Sequence, residues 1–433
     1  MEVRVISKNL IKPSVPTPNH LKTLKLSFID QLAPAAFGSF IFYYPCNGDL
    51  TISDKEARLE RLEKSLSDTL TLFYPLAGRY IEDGDSIDCN DEGAEYLEAR
   101  VDGQLARFLE QNRDDQQLNR LIPFENEVVA FSQMVLAVQV NMFDCGGLAI
   151  GVCLSHKVAD GFVIFSFIEG WARACKVGLE EVVCPSFDMG ILLPAKDTDK
   201  FNIPVPEDDG AKMVTKRFVF NEGIISKLKA KVTAGVSAVK RHPSRVELVT
   251  ALIWKARIRV AQAKHGHLRP SLLTLAYNFR GKTAIEIPKN AFGNLFKLVI
   301  ARYEPTETRF EFPELVGLLG DAIRRTTVEC SETESPDDLF SSAINSMREI
   351  HESLAKMEAD ICVFTSVCRF PYYEIDFGWG KPAWVSSVHK PSDIVLMMDT
   401  KCGTGVEAWV SLEKKDMLLF QQDHDIMSFT SKL

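Results

Sequence analysis

The stretch Leu154-Ser155-His156-Lys157-Val158-Ala159-Asp160-Gly161 sets one histidine at the end of an apolar run, with a carboxylate four residues on. An imidazole ionises near neutrality, so a histidine held in a cleft can take a proton from a hydroxyl or an amine. The residues alone leave two readings open: His156 is a general base, or it is a satisfied core histidine. Asp160 either orients the imidazole or does structural work beside it. Nearby nucleophiles fit less well. Ser155 and His156 point to opposite faces if the strand continues through them. Cys153 reads as a small buried hydrophobe, and no Gly-x-Ser-x-Gly elbow is present. The seven residues Asp376-Phe377-Gly378-Trp379-Gly380-Lys381-Pro382 specify a tight, rigid loop. Their Asp-Phe-Gly triplet does not indicate a protein kinase, because the glycine-rich loop, the strand lysine and the His-Arg-Asp segment of that class are missing.

No metal site is expected. The ten cysteines are scattered without a Cys-x-x-Cys pair or a zinc-type spacing. His265-Gly266-His267 lies in a polar stretch that reads as a surface loop, and His424 sits among polar residues that read as solvated. No glycine-rich phosphate cradle stands between a strand and a helix.

The elements that must position His156 follow from local pattern. Met134–Asn141 and Leu148–Leu154 are apolar runs joined by an Asp/Gly turn, which predicts a β-hairpin. Phe162–Gly178 predicts a helix stopped by glycine, so His156 falls where a strand gives way to a helix. Ile52–Phe73 has apolar residues at helical spacing, with Ser53 or Asp54 as cap and a break at Pro75. Ser244-Arg245-Val246-Glu247 is a capping box that opens another helix. Leu272–Gly281 and Ile361–Pro371 read as strands, and 393–400 pairs with 405–412 through Cys402-Gly403. The segment around 183–212 is rich in proline and aspartate and has neither period. The division expected is a first domain over 1–185, a crossover linker over 186–213 and a second domain over 214–433 that carries the Asp376–Pro382 loop.

A chain of 433 residues with 25% charged residues is ordinary for a globular protein. Its net charge of −9 disfavours phosphate backbones, so no nucleic-acid partner is expected. No apolar run is long enough to span a bilayer, and the N-terminus has no uninterrupted apolar core of a signal peptide. Unpaired cysteines suit a reducing compartment. A cytoplasmic location is expected. The alternative is peroxisomal, because Ser431-Lys432-Leu433 matches the import tripeptide.

Together, His156-x-x-x-Asp160 and the Asp-Phe-Gly-Trp-Gly loop resemble the plant BAHD acyl-CoA-dependent acyltransferases. The likeness runs along the whole chain through Phe73–Arg79, Val138–Gly161, Pro243–Lys255, Asn278–Arg280 and Phe292–Phe296. It is strongest toward the branch of specialised-metabolite O-acyltransferases. The resemblance implies an α/β fold: two chloramphenicol-acetyltransferase-like domains of mixed β-sheet flanked by helices, with an active-site channel between them. It implies transfer of an acyl group, most commonly acetyl, from a CoA thioester to a hydroxyl of a plant metabolite such as an alkaloid. An amine acceptor is the nearest variant, and a non-catalytic ligand-binding member is the other class.

His156 is implied as general base and Thr365 as the hydroxyl facing the oxyanion. Asp160 is implied to pair with Arg280, and Asp376, Gly378 and Gly380 to act structurally. Ser244 and Arg245 are implied on the CoA side. The resemblance also implies a monomer with no permanently bound cofactor, acyl-CoA being a co-substrate. Val367 stands where many relatives have tryptophan, so the pocket there is expected to be wider.

Overall fold

In the computed structural model, the described residues are 1–46, 48, 50–82, 85–110, 115–123, 133–198, 212–235, 242–305, 311–356, 359–388 and 392–430. Ser431-Lys432-Leu433 and residues 199–211 of the expected crossover lie outside them. Two compact units are present. One comprises 1–198, 287–294 and 370–390, and the other 199–286, 295–369 and 391–433.

The first unit is built on a mixed sheet in the order Val3–Ile11, Ala94–Val101, Leu136–Phe143, Leu148–Ser155, Phe37–Tyr44, Trp384–Val388. The predicted hairpin is there, antiparallel with Leu136 opposite Leu154 and Met142 opposite Leu148. Both its strands are buried at every position, which is why they read as continuous apolar runs rather than alternating ones. Two helices pack together beside this sheet, Ile52–Leu72 and Gly161–Val177. Trp171 Nε1 is shared between Leu62 O at 3.2 Å and Ser65 Oγ at 3.1 Å, so the indole is buried without an orphan donor.

The second unit has a mixed sheet in the order Phe296–Tyr303, Ser271–Asn278, Asp360–Ser366, Ile394–Asp399, Val406–Glu413, Met213–Phe220. Its core includes Leu252, Leu273, Phe364, Val395 and Ala408. The helix Arg245–His265 starts at the expected capping box: Glu247 N donates to Ser244 Oγ, and Glu247 Oε2 accepts from Ser244 N.

Two expectations are corrected. The helix Ile52–Leu72 is capped by Thr51, not by Ser53 or Asp54. Thr51 is the last residue with extended backbone, and Asp54 instead returns from the third helical position to Thr51 N at 3.0 Å. The Asp376–Pro382 loop groups with the first unit rather than with 214–433, because Trp384–Val388 pairs antiparallel with Phe37–Tyr44. Among the described residues no helix is long and apolar enough to cross a membrane.

Replacing Thr51 with alanine removes one half of the box. Urea unfolding of Thr51→Ala is expected to show a loss of about 1 kcal/mol; an unchanged midpoint contradicts this assignment.

Candidate active site

His156 is the first residue after the strand Leu148–Ser155, in a turn closed by Val158 N donating to Ser155 O at 3.2 Å. Its backbone is held from both sides. His156 N donates to Ala36 O at 2.8 Å, and Asn294 Nδ2 donates to His156 O at 2.8 Å. The neighbouring Lys157 reaches back with Nζ to Gln31 O at 2.9 Å. The turn is therefore fastened to the chain between Ser27 and Ala36. The residue itself is partly exposed, unlike the strand before it.

Asp160 ends the turn. Its Oδ1 accepts from Phe162 N and Val163 N, both at 3.1 Å, so it is the N-cap of the helix Gly161–Val177. A carboxylate suits the positive end of a helix, and two otherwise orphaned donors are satisfied. The four-residue spacing from His156 to Asp160 is the length of a strand-to-helix turn, with the reactive type at its start and the capping type at its end. Arg280 lies in the second unit, just after the strand Ser271–Asn278, and its backbone N donates to Asn278 Oδ1 at 3.0 Å.

Sequence reasoning missed the groups that hold His156. Asp30 is fully buried and accepts four bonds. Ser27 N at 2.9 Å and Ser27 Oγ at 2.7 Å reach one oxygen; Asn294 N at 2.7 Å and Asn294 Nδ2 at 2.8 Å reach the other. Burial pushes this carboxyl above its ordinary value, while Ser27 and Asn294 pull the other way. Ser27-x-x-Asp30 is a capping signature, readable in the sequence though not singled out. The link to Asn294 spans 264 positions and leaves no local signal.

The loop Asp376–Gly380 is at the other end of the same helix. Asp376 Oδ1 accepts from Gly378 N at 2.8 Å and Gly380 N at 2.9 Å, and its Oδ2 meets Lys176 Nζ at 2.7 Å. Lys176 is the penultimate residue of a 17-residue helix, so the loop is anchored about 24 Å along the axis from the Asp160 cap. Gly378 has φ +106°, and a Cβ there would stand 2.8 Å from the Arg61 guanidinium. Phe377 meets Trp171 edge-on at 4.9 Å, and Arg58 lies 5.4 Å over the Trp379 ring.

In the second unit, Thr365 lies on the strand Asp360–Ser366 between buried Phe364 and half-buried Ser366. Cys362 and Phe364 face the core, so Thr365 is on the opposite face. The strand stops at Ser366 instead of running to Pro371, and Arg369 takes φ +75° while its N donates to Asp399 Oδ2 at 2.8 Å. Val367 is buried and donates its N to Met397 O. Ser244 Oγ is engaged in its capping box, and Arg245 meets Asp399 at 2.8 Å.

Cys153 is fully buried, and burial pushes its thiol up to about 12. Cys402, exposed on the turn between Ile394–Asp399 and Val406–Glu413, is lowered to about 7 by Thr400 first and Thr404 next. Asp423, His424 and Asp425 approach one another closely, but Arg259 pairs with both carboxylates at 2.7 and 2.8 Å.

The Transferase family model matches residues 1–427. The chain is 38% identical to the acetyl-CoA-benzylalcohol acetyltransferase of Clarkia breweri over the full length of both. It is 34% identical to the stemmadenine O-acetyltransferase of Catharanthus roseus, covering 98% of this chain and 97% of that one. The crystal structure of vinorine synthase superposes with a TM-score of 0.84 at 34% identity over 99% of both chains. In fold alone, the chain also matches F. graminearum TRI101, with a TM-score of 0.73 at 17% identity over 94% of this chain and 99% of that one.

Two measurements follow from the geometry. Burial raises the Asp376 carboxyl, but Lys176 and the amides of Gly378 and Gly380 outweigh it and hold it below its ordinary value. A depressed folded-state pKa contributes stability that is present above the unfolded value, about pH 4 for aspartate, and lost as pH falls through the folded value. Asp376→Asn is therefore expected to melt below the wild type near neutrality, with the gap narrowing as the pH falls below the ordinary aspartate value. A gap independent of pH contradicts this. In peptide mapping after brief iodoacetamide treatment near neutral pH, Cys402 is expected to be labelled and Cys153 spared; the reverse order contradicts the two environments.

Proposed function

The chain belongs to the BAHD-type acyltransferases of the Transferase family, and on that premise we propose that it moves an acyl group from a CoA thioester to a hydroxyl of a small plant metabolite. Acetyl is the favoured group, because the Clarkia and Catharanthus relatives are named for acetyl transfer. The product is an ester. The observation that carries the reading is His156 itself: a partly exposed residue at a strand end, with its backbone amide and carbonyl both fixed.

His156 is the general base. It takes the acceptor hydroxyl proton as that oxygen attacks the thioester carbonyl. The C–O bond forms, the carbonyl electrons move onto oxygen, and their return breaks the C–S bond. The imidazolium then gives its proton to the leaving thiolate. Both substrates are bound together, and their alignment supplies much of the acceleration. Thr365 donates its hydroxyl to the oxyanion. Asp160 fixes the turn; Arg280 as its counter-charge, and Ser244 and Arg245 on the CoA side, rest on the resemblance. A hydrolase using Cys153 is disfavoured, since a thiol raised to about 12 is scarcely ionised at neutral pH.

Purified protein is to be given acetyl-CoA with a panel of alcohols, and thiol release followed. Release that requires an acceptor and falls by about 10²- to 10⁴-fold in His156→Ala, with the circular dichroism unchanged, is expected. Near-wild-type turnover in that variant contradicts the mechanism.

A further inference from the structure

We propose that Asn294, held by the buried Asp30, is a positioning residue that sets the orientation of the His156 imidazole. The inference rests on the reading of His156 as the base. Nδ2 of Asn294 has two partners, Asp30 Oδ1 and His156 O, both at 2.8 Å. A carboxylate whose oxygens both receive backbone N–H groups and a peptide carbonyl are both acceptors, so only the NH₂ end of the amide can stand there, and its orientation is fixed by chemistry. The same residue's backbone N donates to Asp30 Oδ1 at 2.7 Å. Asn294 is thus fastened at two atoms to one carboxylate oxygen.

The carboxylate is fixed in turn. Its other oxygen takes Ser27 N and Ser27 Oγ, and Asp30 N donates back to Ser27 Oγ at 3.2 Å. Each group in this chain is buried, Ser27, Asp30 and Asn294 being between 0% and 1% exposed, so water does not compete for the bonds. The chain ends on the carbonyl of His156. That carbonyl and the amide N–H held by Ala36 O are the two peptide groups flanking the His156 Cα. Fixing both fixes the Cα–Cβ direction, from which the ring projects.

The cost of the arrangement argues for a role beyond packing. Asn294 Oδ1 is buried with no hydrogen-bond partner among the described residues. Burying an unsatisfied carbonyl oxygen is unfavourable. A smaller or apolar side chain would fill this place without that penalty, and what it would lose is the donor to His156 O.

The test compares wild type, Asn294→Ala and Asn294→Ser, with His156→Ala to assign the ring signals among the eight histidines. Two readouts are taken: steady-state kinetics with acetyl-CoA and an accepted alcohol, and the imidazole resonances of histidine-labelled protein at one fixed pH. In Asn294→Ala the expected result is a fall in kcat of about 10²-fold, the scale of a misplaced catalytic group. KM for acetyl-CoA should stay within about twofold, because no substrate contact is removed. The His156 ring signals should move while those of His265 and His424 stay in place. Asn294→Ser keeps a hydroxyl donor; it is expected to recover part of kcat, and it serves if the alanine variant does not fold. Unmoved His156 signals, an unchanged kcat, or a loss confined to KM overturns the proposal. Full activity in His156→Ala with displaced ring signals in Asn294→Ala would instead sink the reading of His156 as base while leaving the placement intact.

Discussion

A chain that leaves a fully buried strand and enters a helix must find partners for the peptide groups that water does not reach. The turn from His156 to Asp160 shows how several of them are met. His156 N–H goes to Ala36, His156 C=O receives Asn294, Val158 N–H returns to Ser155, and the Asp160 carboxylate takes the first helical amides. The reactive imidazole is proposed to act from a residue whose position is determined on both sides of its Cα. Satisfying the backbone and aiming the side chain are the same event.

The helix that begins at Asp160 carries the constraint outward. Its far end is tied by Lys176 to Asp376, whose carboxylate folds the Gly378 and Gly380 amides around itself. The two motifs that stand out in the sequence thus bracket one helix, one at each end. They act on different scales: the first within hydrogen-bond reach of the imidazole's own backbone, the second on the seating of the helix. Cys153, in the strand that leads to His156, is buried by the same packing, and that burial pushes its thiol up.

Much of this was legible in the sequence, and what was not has a physical reason. The hairpin, the helix Gly161–Val177 and the Ser244 capping box rest on neighbours a few residues apart, and the pattern displays them. The Thr51 cap is displaced by two or three residues from the expected one, because three capping-type residues, Thr51, Ser53 and Asp54, compete and only the backbone torsions decide. The membership of 370–390 in the first unit depends on a strand pairing with Phe37–Tyr44, which chain order conceals. Asp30 and Asn294 were hidden for a like reason. Each looks ordinary where it stands, and their role emerges only when the fold brings them to His156.

Direct transfer within a complex of both substrates, with His156 as base, is the claim on which the rest depends. Initial velocities measured with acyl-CoA and alcohol both varied test it most directly. Intersecting double-reciprocal lines, with no acylated protein detectable by intact mass after incubation with acyl-CoA alone, are the predicted result. Parallel lines with a stably acylated side chain would show that the acyl group passes through the protein, and would contradict the account.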